Sequence, residues 1–194
     1  MKILFIAAAT GLALTSVTSA SAGPIGAAVI RIGGDSAESC YHAAVARDGS
    51  APALNECNSA INHDVIPFSD LVATYVNRGI VLLVRGNYEA AEADFNQATA
   101  MEPGQPEAWL NKGIARYQRG DVQQARQLFT RALELKTDYA ALAYFGRGLA
   151  NEDAGDVRAA YADLRRASQL EPKWEAPREQ LKRFKVVPKT SSLG

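Results

Sequence analysis

The sequence predicts an all-α fold, a solenoid of stacked antiparallel helical hairpins closed by a C-terminal capping helix. Three observations carry that prediction. First, "RGNYEAA" at Arg85 to Ala91 recurs as "RGDVQQA" at Arg119 to Ala125 and "AGDVRAA" at Ala154 to Ala160, which sets Gly86, Gly120 and Gly155 at steps of 34 and 35 residues. A fixed period in that range marks a stacked array. Second, nine residues after each turn glycine stands a large apolar residue, Phe95, Phe129 or Leu164, and three later an alanine, Ala98, Ala132 or Ala167. Third, seven before each turn glycine stands another glycine, Gly79, Gly113 or Gly148, and Glu-Pro closes two units at Glu102-Pro103 and Glu171-Pro172, with Lys136-Thr137 in that place in the middle unit.

Each unit reads as two antiparallel helices. The turn glycine adopts the left-handed conformation that ends the first helix, and the Asn or Asp after it caps the second. In the second helix Ala91, Phe95 and Ala98 fall on one face at i, i+4 and i+7. Small residues there, opposite Gly79 of the first helix, let the backbones approach, and the aromatic fills the remaining gap. The proline then stops the helix.

The elements around the units follow in chain order. Residues 1–22, "MKILFIAAATGLALTSVTSASA", hold one Lys, an apolar run from Ile3 to Leu14 and small residues before Gly23. That is the composition of a secretory signal cut after Ala22, and the run falls short of the ~20 apolar residues that span a bilayer. The mature chain is then exported, periplasmic or secreted, and disulfides are permitted. Residues 23–34, "GPIGAAVIRIGG", form an apolar arm that lies against a groove or packs on the first hairpin, the second being the preferred placement. Residues 35–66 read as a degenerate hairpin around a Gly-Ser turn. Cys40 falls in its first helix and Cys57 in its second, so a disulfide closing 17 residues is expected, contributing about 3 kcal/mol. His42 and His63 make a two-Cys, two-His metal set the alternative, but Cys40 and His42 are spaced too closely for the usual structural zinc pair; no metal is expected. The units occupy about 70–103, 104–138 and 139–172. A capping helix at 173–186 follows, with Trp174, Leu181 and Phe184 for packing, and then a tail at 187–194. The basic excess of that helix serves as a docking patch for an anionic partner or as the solvated outer face that a terminal cap requires.

Composition narrows the function. Lys plus Arg and Asp plus Glu both number 21, and removing the signal leaves 20 basic against 21 acidic residues. Nucleic-acid binding, which leans on a basic excess, is not expected. The sequence shows no Ser-His-Asp or Cys-His arrangement, and acidic pairs such as Glu152 with Asp153 fall at helix ends. No enzyme activity and no cofactor are expected.

The recurring positions resemble the tetratricopeptide repeat. Tyr75, Gly79, Ala91, Phe95, Ala98 and Pro103 carry the pattern in the first unit, and Trp109, Gly113, Ala125, Phe129 and Ala132 in the second. Where the family has Leu before the first-helix glycine, this chain has Arg78, Lys112 and Arg147, which makes that site partly polar. The resemblance implies a right-handed superhelix of the exported bacterial type. It also implies a concave face, lined by the first helix of each hairpin, that holds a protein or peptide partner. The lining it implies is Val76, Asn77, Ile80 and Leu83 in the first unit, Leu110, Asn111, Ile114 and Tyr117 in the second, and Leu142, Phe145 and Leu149 in the third. Ala73 and Glu152 belong to the same face. The clamp by which one subgroup of the family grips chaperone C-termini is not expected, because Val76 and Ile80 stand where it needs cationic and amide groups. The groove would suit an apolar segment, with Asn77 and Asn111 bonding its backbone or else serving inside the stack. The alternatives are a self-associating structural protein and an accessory subunit of an exported enzyme complex.

Overall fold

The computed structural model of the chain describes residues 3–7, 26–27, 35–63 and 65–188. Most of the expected signal, arm and tail thus lies outside the described residues. The order is β1 (Ile3–Ala7), α1 (Asp35–Ala46), α2 (Ala51–Asn62), α3 (Phe68–Val84), α4 (Tyr88–Met101), α5 (Pro106–Gln118), α6 (Val122–Glu134), α7 (Ala140–Asp153), α8 (Val157–Leu170), α9 (Glu175–Leu181) and β2 (Phe184–Pro188).

Hairpins α3/α4, α5/α6 and α7/α8 stack in sequence order, each second helix packing on the next first helix. First helices also touch one another, α3 with α5 and α5 with α7, which lines them up along one side of the stack. The recurrent turn is built on glycines at positive φ: 81° at Gly86, 84° at Gly120 and 80° at Gly155. At the first, the Gly86 N–H donates to the Leu83 carbonyl and the Asn87 N–H to the Leu82 carbonyl, the Schellman arrangement that satisfies helix-end carbonyls. Gly120–Asp121 and Gly155–Asp156 repeat it. Between α6 and α7 the same turn is made without glycine, Lys136 standing at φ 60°.

The expected side-chain capping after the turn holds in one unit of three. Asp156 accepts from the Ala159 N–H at 3.0 Å, whereas Asn87 and Asp121 make no cap hydrogen bond. Asp121 is drawn away because its carboxylate accepts from Arg116 Nη1 at 2.9 Å.

The first-helix glycines make room for the second-helix aromatics. A Cβ on Gly79 would lie 2.4 Å from Phe95 Cε1, and Cβ atoms on Gly113 and Gly146 would come within 2.9 and 2.6 Å of the Phe129 ring. Phe95, Phe129 and Leu164 are fully buried, worth about 1.5–3 kcal/mol each. The cores of the second and third units merge into one cluster, and the first unit forms its own with Ala44 of α1.

In the N-terminal hairpin, Cys40 and Cys57 are bonded with their Cα atoms 4.7 Å apart, closing 17 residues and tying α1 to α2. Among the described residues no group of three or more His, Cys, Asp or Glu is placed to hold a metal. At the other end the expected helix over 173–186 is shorter, stopping at Leu181. Beyond it, Phe184–Pro188 is extended and pairs antiparallel with β1, Ile3 opposite Pro188 and Ala7 opposite Phe184. Val186, Val187 and Pro188 favour extended backbone, so the helix gives way to a strand. The capping role stays with α9: Trp174 packs against Phe145, ring centroids 4.8 Å apart, and Leu181 joins the same cluster. No helix of the described residues is long and apolar enough to cross a membrane.

Candidate functional site

The first helices α3, α5 and α7 form the floor of a groove along the stack. Ile80, Leu83 and Ile114 line a cavity of about 280 Å³ at its first half, together with Val84, Tyr88 and Gln118. Leu142 and Phe145 line a second cavity of about 670 Å³ with Tyr139, Trp174, Ala176 and, at the rim, Glu171 and Lys173. Arg47 and Ala27 border both, so the two are halves of one channel.

Five of the residues expected to line the groove do so: Ile80, Leu83, Ile114, Leu142 and Phe145. The others, apart from the partly exposed Tyr117 and Glu152, are turned into the stack. Val76, Leu110, Ala73 and Leu149 border neither cavity and are buried core residues, although Ile80, Ile114, Leu142 and Phe145 are buried too and differ in presenting an edge to the channel. Asn77 and Asn111 are also fully buried, and Asn111 Nδ2 donates to the Glu107 carbonyl one turn back in its own helix at 3.0 Å. Tyr117 reaches across from α5 to α7, its hydroxyl donating to Asp153 Oδ2 at 2.7 Å. Burial, reinforced by the carboxylate, pushes that phenol well above its ordinary range. Glu152 pairs with Arg183 at 2.9 Å.

The physical reason is the solenoid itself. A first helix packs on its own second helix, on the preceding second helix and on neighbouring first helices, so most of its circumference is interior. Only a narrow strip faces the groove, and apolar character alone does not distinguish strip from core. Residues missed from the sequence, Tyr88, Gln118 and Tyr139, sit at or just beyond helix ends, where no periodicity points to them.

The polar departures Arg78, Lys112 and Arg147 also find a structural account. Arg78 donates from Nε and Nη2 to the two oxygens of Asp94 at 2.8 and 2.7 Å, and from Nη1 to Asn58 Oδ1 at 2.9 Å. Arg147 repeats the grip on Asp163, both bonds at 2.8 Å, with Nη1 on Thr130 Oγ1 at 3.1 Å. Such bidentate pairs are the strong kind. The paired carboxylates hold both guanidiniums above their ordinary values. Each arginine also lies over a tyrosine one turn earlier, Tyr75 or Tyr144, at 5.5 and 5.4 Å. In the middle unit Lys112 lies over Trp109 at 5.4 Å, and burial lowers its ammonium below the usual lysine value.

A wider cavity of about 790 Å³ opens between α6 and α8, bordered by Arg126, Arg131, Arg147 and Asp163. Its floor is the Arg147–Asp163 pair, whose polar atoms are already engaged with each other and with Asn151. The apolar channel is therefore the better candidate for recognition, since apolar walls with a few polar groups are what ligand grooves present.

The tetratricopeptide repeat family profile matches residues 76–140, from within α3 to the start of α7. Human tetratricopeptide repeat protein 13 is 31% identical over 88 residues, which are 44% of this chain and 10% of that protein, so the chain spans about a tenth of this relative's length. Among solved structures, PilW, described as a widely conserved type IV pilus biogenesis factor, superposes with a TM-score of 0.63 at 17% identity over 75% of this chain and 65% of its own. MamA gives 0.62 at 19% identity, covering 77% of this chain and 82% of its own. The first repeat domain of Spaghetti (RPAP3), solved with the HSP90 peptide SRMEEVD, gives 0.55 at 22% identity, covering 57% and 87%. At these identities the likeness is one of fold. With three hairpins of matching spacing stacked in order and packed glycine against aromatic, this chain carries tetratricopeptide repeats, the family profile covering residues 76–140.

Proposed function

We propose that the chain is an exported, non-catalytic scaffold that holds an extended apolar segment of a partner protein in the channel along α3, α5 and α7. The observation that carries this reading is the channel itself, two cavities of about 280 and 670 Å³ walled by Ile80, Leu83, Ile114, Leu142 and Phe145. The peptide complex of the RPAP3 domain supports peptide capture as a use of this fold. That peptide ends in acidic residues. Here the amides Asn77 and Asn111 are buried and the floor is apolar, so the segment is held by apolar side chains, with Arg47, Gln118, Glu171 and Lys173 at the rim for its backbone. Export rests on the character of residues 1–22 and on the Cys40–Cys57 bond, which suits an oxidising compartment.

The test is capture of a partner from the exported fraction, identified by mass spectrometry, with the parent chain and with Val84→Glu and Tyr88→Ala. Both residues border the channel and neither is fully buried. Loss of the same partner from both variants, with helical content retained, supports the reading; undiminished capture refutes it. Val76→Lys and Leu110→Lys, which the sequence would suggest, place a charge in the core and test the fold instead. The mass of the mature chain checks cleavage after Ala22, and sedimentation at several concentrations separates partner capture from self-association.

A further inference from the structure

The channel is not empty along its length. Ala27 is half-buried and packs against the first-unit cluster that holds Val76, Ile80, Ala108 and Ala115. Its neighbour Gly26 lies over the third unit, where a Cβ would sit 3.8 Å from Leu142 Cδ1. Two consecutive residues thus touch first helices of different hairpins, which places the backbone across the channel between its two cavities. Both cavities border Ala27 for that reason.

The surrounding sequence fits such a placement. Residues 23–34, "GPIGAAVIRIGG", carry one charge, Arg31, and otherwise only Gly, Ala, Pro, Val and Ile. That is the chemistry the channel walls ask of an extended ligand. The eight steps from Ala27 to Asp35, at roughly 3.3 Å each, allow a reach of about 26 Å back to the start of α1. A tethered segment of this kind sees its site at an effective concentration in the millimolar range.

We propose that the resident of the channel is the chain's own N-terminal arm around Gly26–Ala27, bound in cis, so that a partner segment gains the channel only by displacing it. This rests on the channel being the binding face, and it adds a regulation to it: the apparent affinity for any competing segment is reduced by the fraction of time the arm leaves the site. A Cβ on Gly26 would meet Leu142 at ordinary contact distance, 3.8 Å, and Ala27 is small enough to pass between the cavity walls.

Two experiments on the full mature chain test it. In the first, a fluorescent peptide of residues 23–34 is titrated against the parent chain and against A27E, which puts a carboxylate into the apolar contact. Freed of its arm, A27E is expected to bind the peptide at least ~10-fold more tightly than the parent. Equal affinity for the two chains overturns the proposal, and so does the absence of binding to either at millimolar peptide. In the second, which does not depend on how A27E folds, a benzophenone amino acid at position 27 is photolysed and the cross-links are mapped. Links to the peptides carrying Leu83, Ile114 or Leu142 at the mass of one chain are expected. Links found only at dimer mass identify a second copy as occupant and overturn binding in cis; links elsewhere overturn the placement. Neither readout involves a partner protein, so an arm that cross-links as expected in a chain that captures no partner sinks the scaffold reading alone. A partner captured equally by parent and A27E sinks the arm proposal alone.

Discussion

Replacing Asp163 by Leu tests whether the arginine clasps are structural devices with a definable cost. Asp163 is 6% exposed and accepts three hydrogen bonds, two from Arg147 and one from Asn151 Nδ2 at 2.9 Å. D163L keeps the side-chain shape and orphans the guanidinium. Removing one partner of a buried pair costs roughly 3–5 kcal/mol; the Arg147 side chain retains 24% exposure, so water recovers part of that and about 2–4 kcal/mol is expected. In urea, with a slope of about 2 kcal/mol per molar, the unfolding midpoint should fall by about 1–2 M. The partner variant R147L/D163L removes both charges together. The chain supplies its own precedent, because sixteen residues after Lys112 the middle unit carries Leu128 where the outer units carry Asp94 and Asp163. The double variant should therefore recover most of the loss, since an apolar pair of similar volume is often neutral relative to a buried ion pair. The assay is urea unfolding followed by circular dichroism, with the slope checked for constancy. A D163L loss under about 1 kcal/mol, or a double variant no more stable than D163L, would refute the reasoning.

Three further outcomes follow from the turns, the packing and the phenol. Gly79→Ala should destabilise by about 1–3 kcal/mol or more, because its Cβ would lie 2.4 Å from a fully buried Phe95 ring; Gly86→Ala, with nothing within 4 Å but φ at 81°, should cost only about 1–2 kcal/mol, and thermal melts that reverse this order contradict the packing account. Lys136→Gly should stabilise by about 0.5–1 kcal/mol, since relief of a left-handed lysine exceeds the added freedom of the unfolded glycine, and a lowered melting point would count against it. Tyr117 has its folded phenol raised, so its contribution is fully present below the ordinary phenol value near pH ~10 and is lost as pH climbs towards the folded one; urea midpoints should fall less steeply above pH ~10 in Tyr117→Phe than in the parent, and equal slopes would mean that the phenol is not raised by folding.

The stack was legible because its signals are local and repeated. Gly86, Gly120 and Gly155 announce a turn by a conformation open to glycine, and Phe95 and Phe129 announce the notch cut by a glycine on the facing helix. Two further turns of the same kind carry no such signal, because Arg47 and Lys136 adopt the left-handed conformation without glycine. The clasps were written in the sequence at a spacing of sixteen, Arg78 to Asp94 and Arg147 to Asp163. They show only when two positions on different helices are compared at once, and inspection of single positions makes Arg78 and Arg147 departures from a pattern. The groove was half legible. Apolar periodicity puts Ile80, Ile114 and Leu142 on the helices that border the two cavities, but Val76 and Leu110 share that periodicity and border neither. The Asp121 cap failed because Arg116, five residues back, competes for the same carboxylate with a charge-assisted bond.

The distribution of ionic contacts gives the middle hairpin a different part in the stack from its neighbours. The outer hairpins are clasped within themselves, α3 to α4 through Arg78–Asp94 and α7 to α8 through Arg147–Asp163. The middle hairpin lacks that clasp and is bonded outward instead. Arg116 and Arg119, at the end of α5, both pair with Glu92 of α4, whose side chain is 8% exposed. On its other side Tyr117 donates to Asp153 of α7 at 2.7 Å, while Thr137 donates to Glu107 at 2.9 Å within the middle unit itself. In a one-dimensional array stability divides into terms within units and terms between them. Here the middle unit keeps internal bonds such as Arg116–Asp121 but is also bonded to α4 and α7, so its position is set by both neighbours. The channel changes from its smaller to its larger cavity across this unit, Ile114 bordering the one and Leu142 the other. Its bonds to α4 and α7 therefore fix the spacing of the two walls against which Gly26 and Ala27 lie.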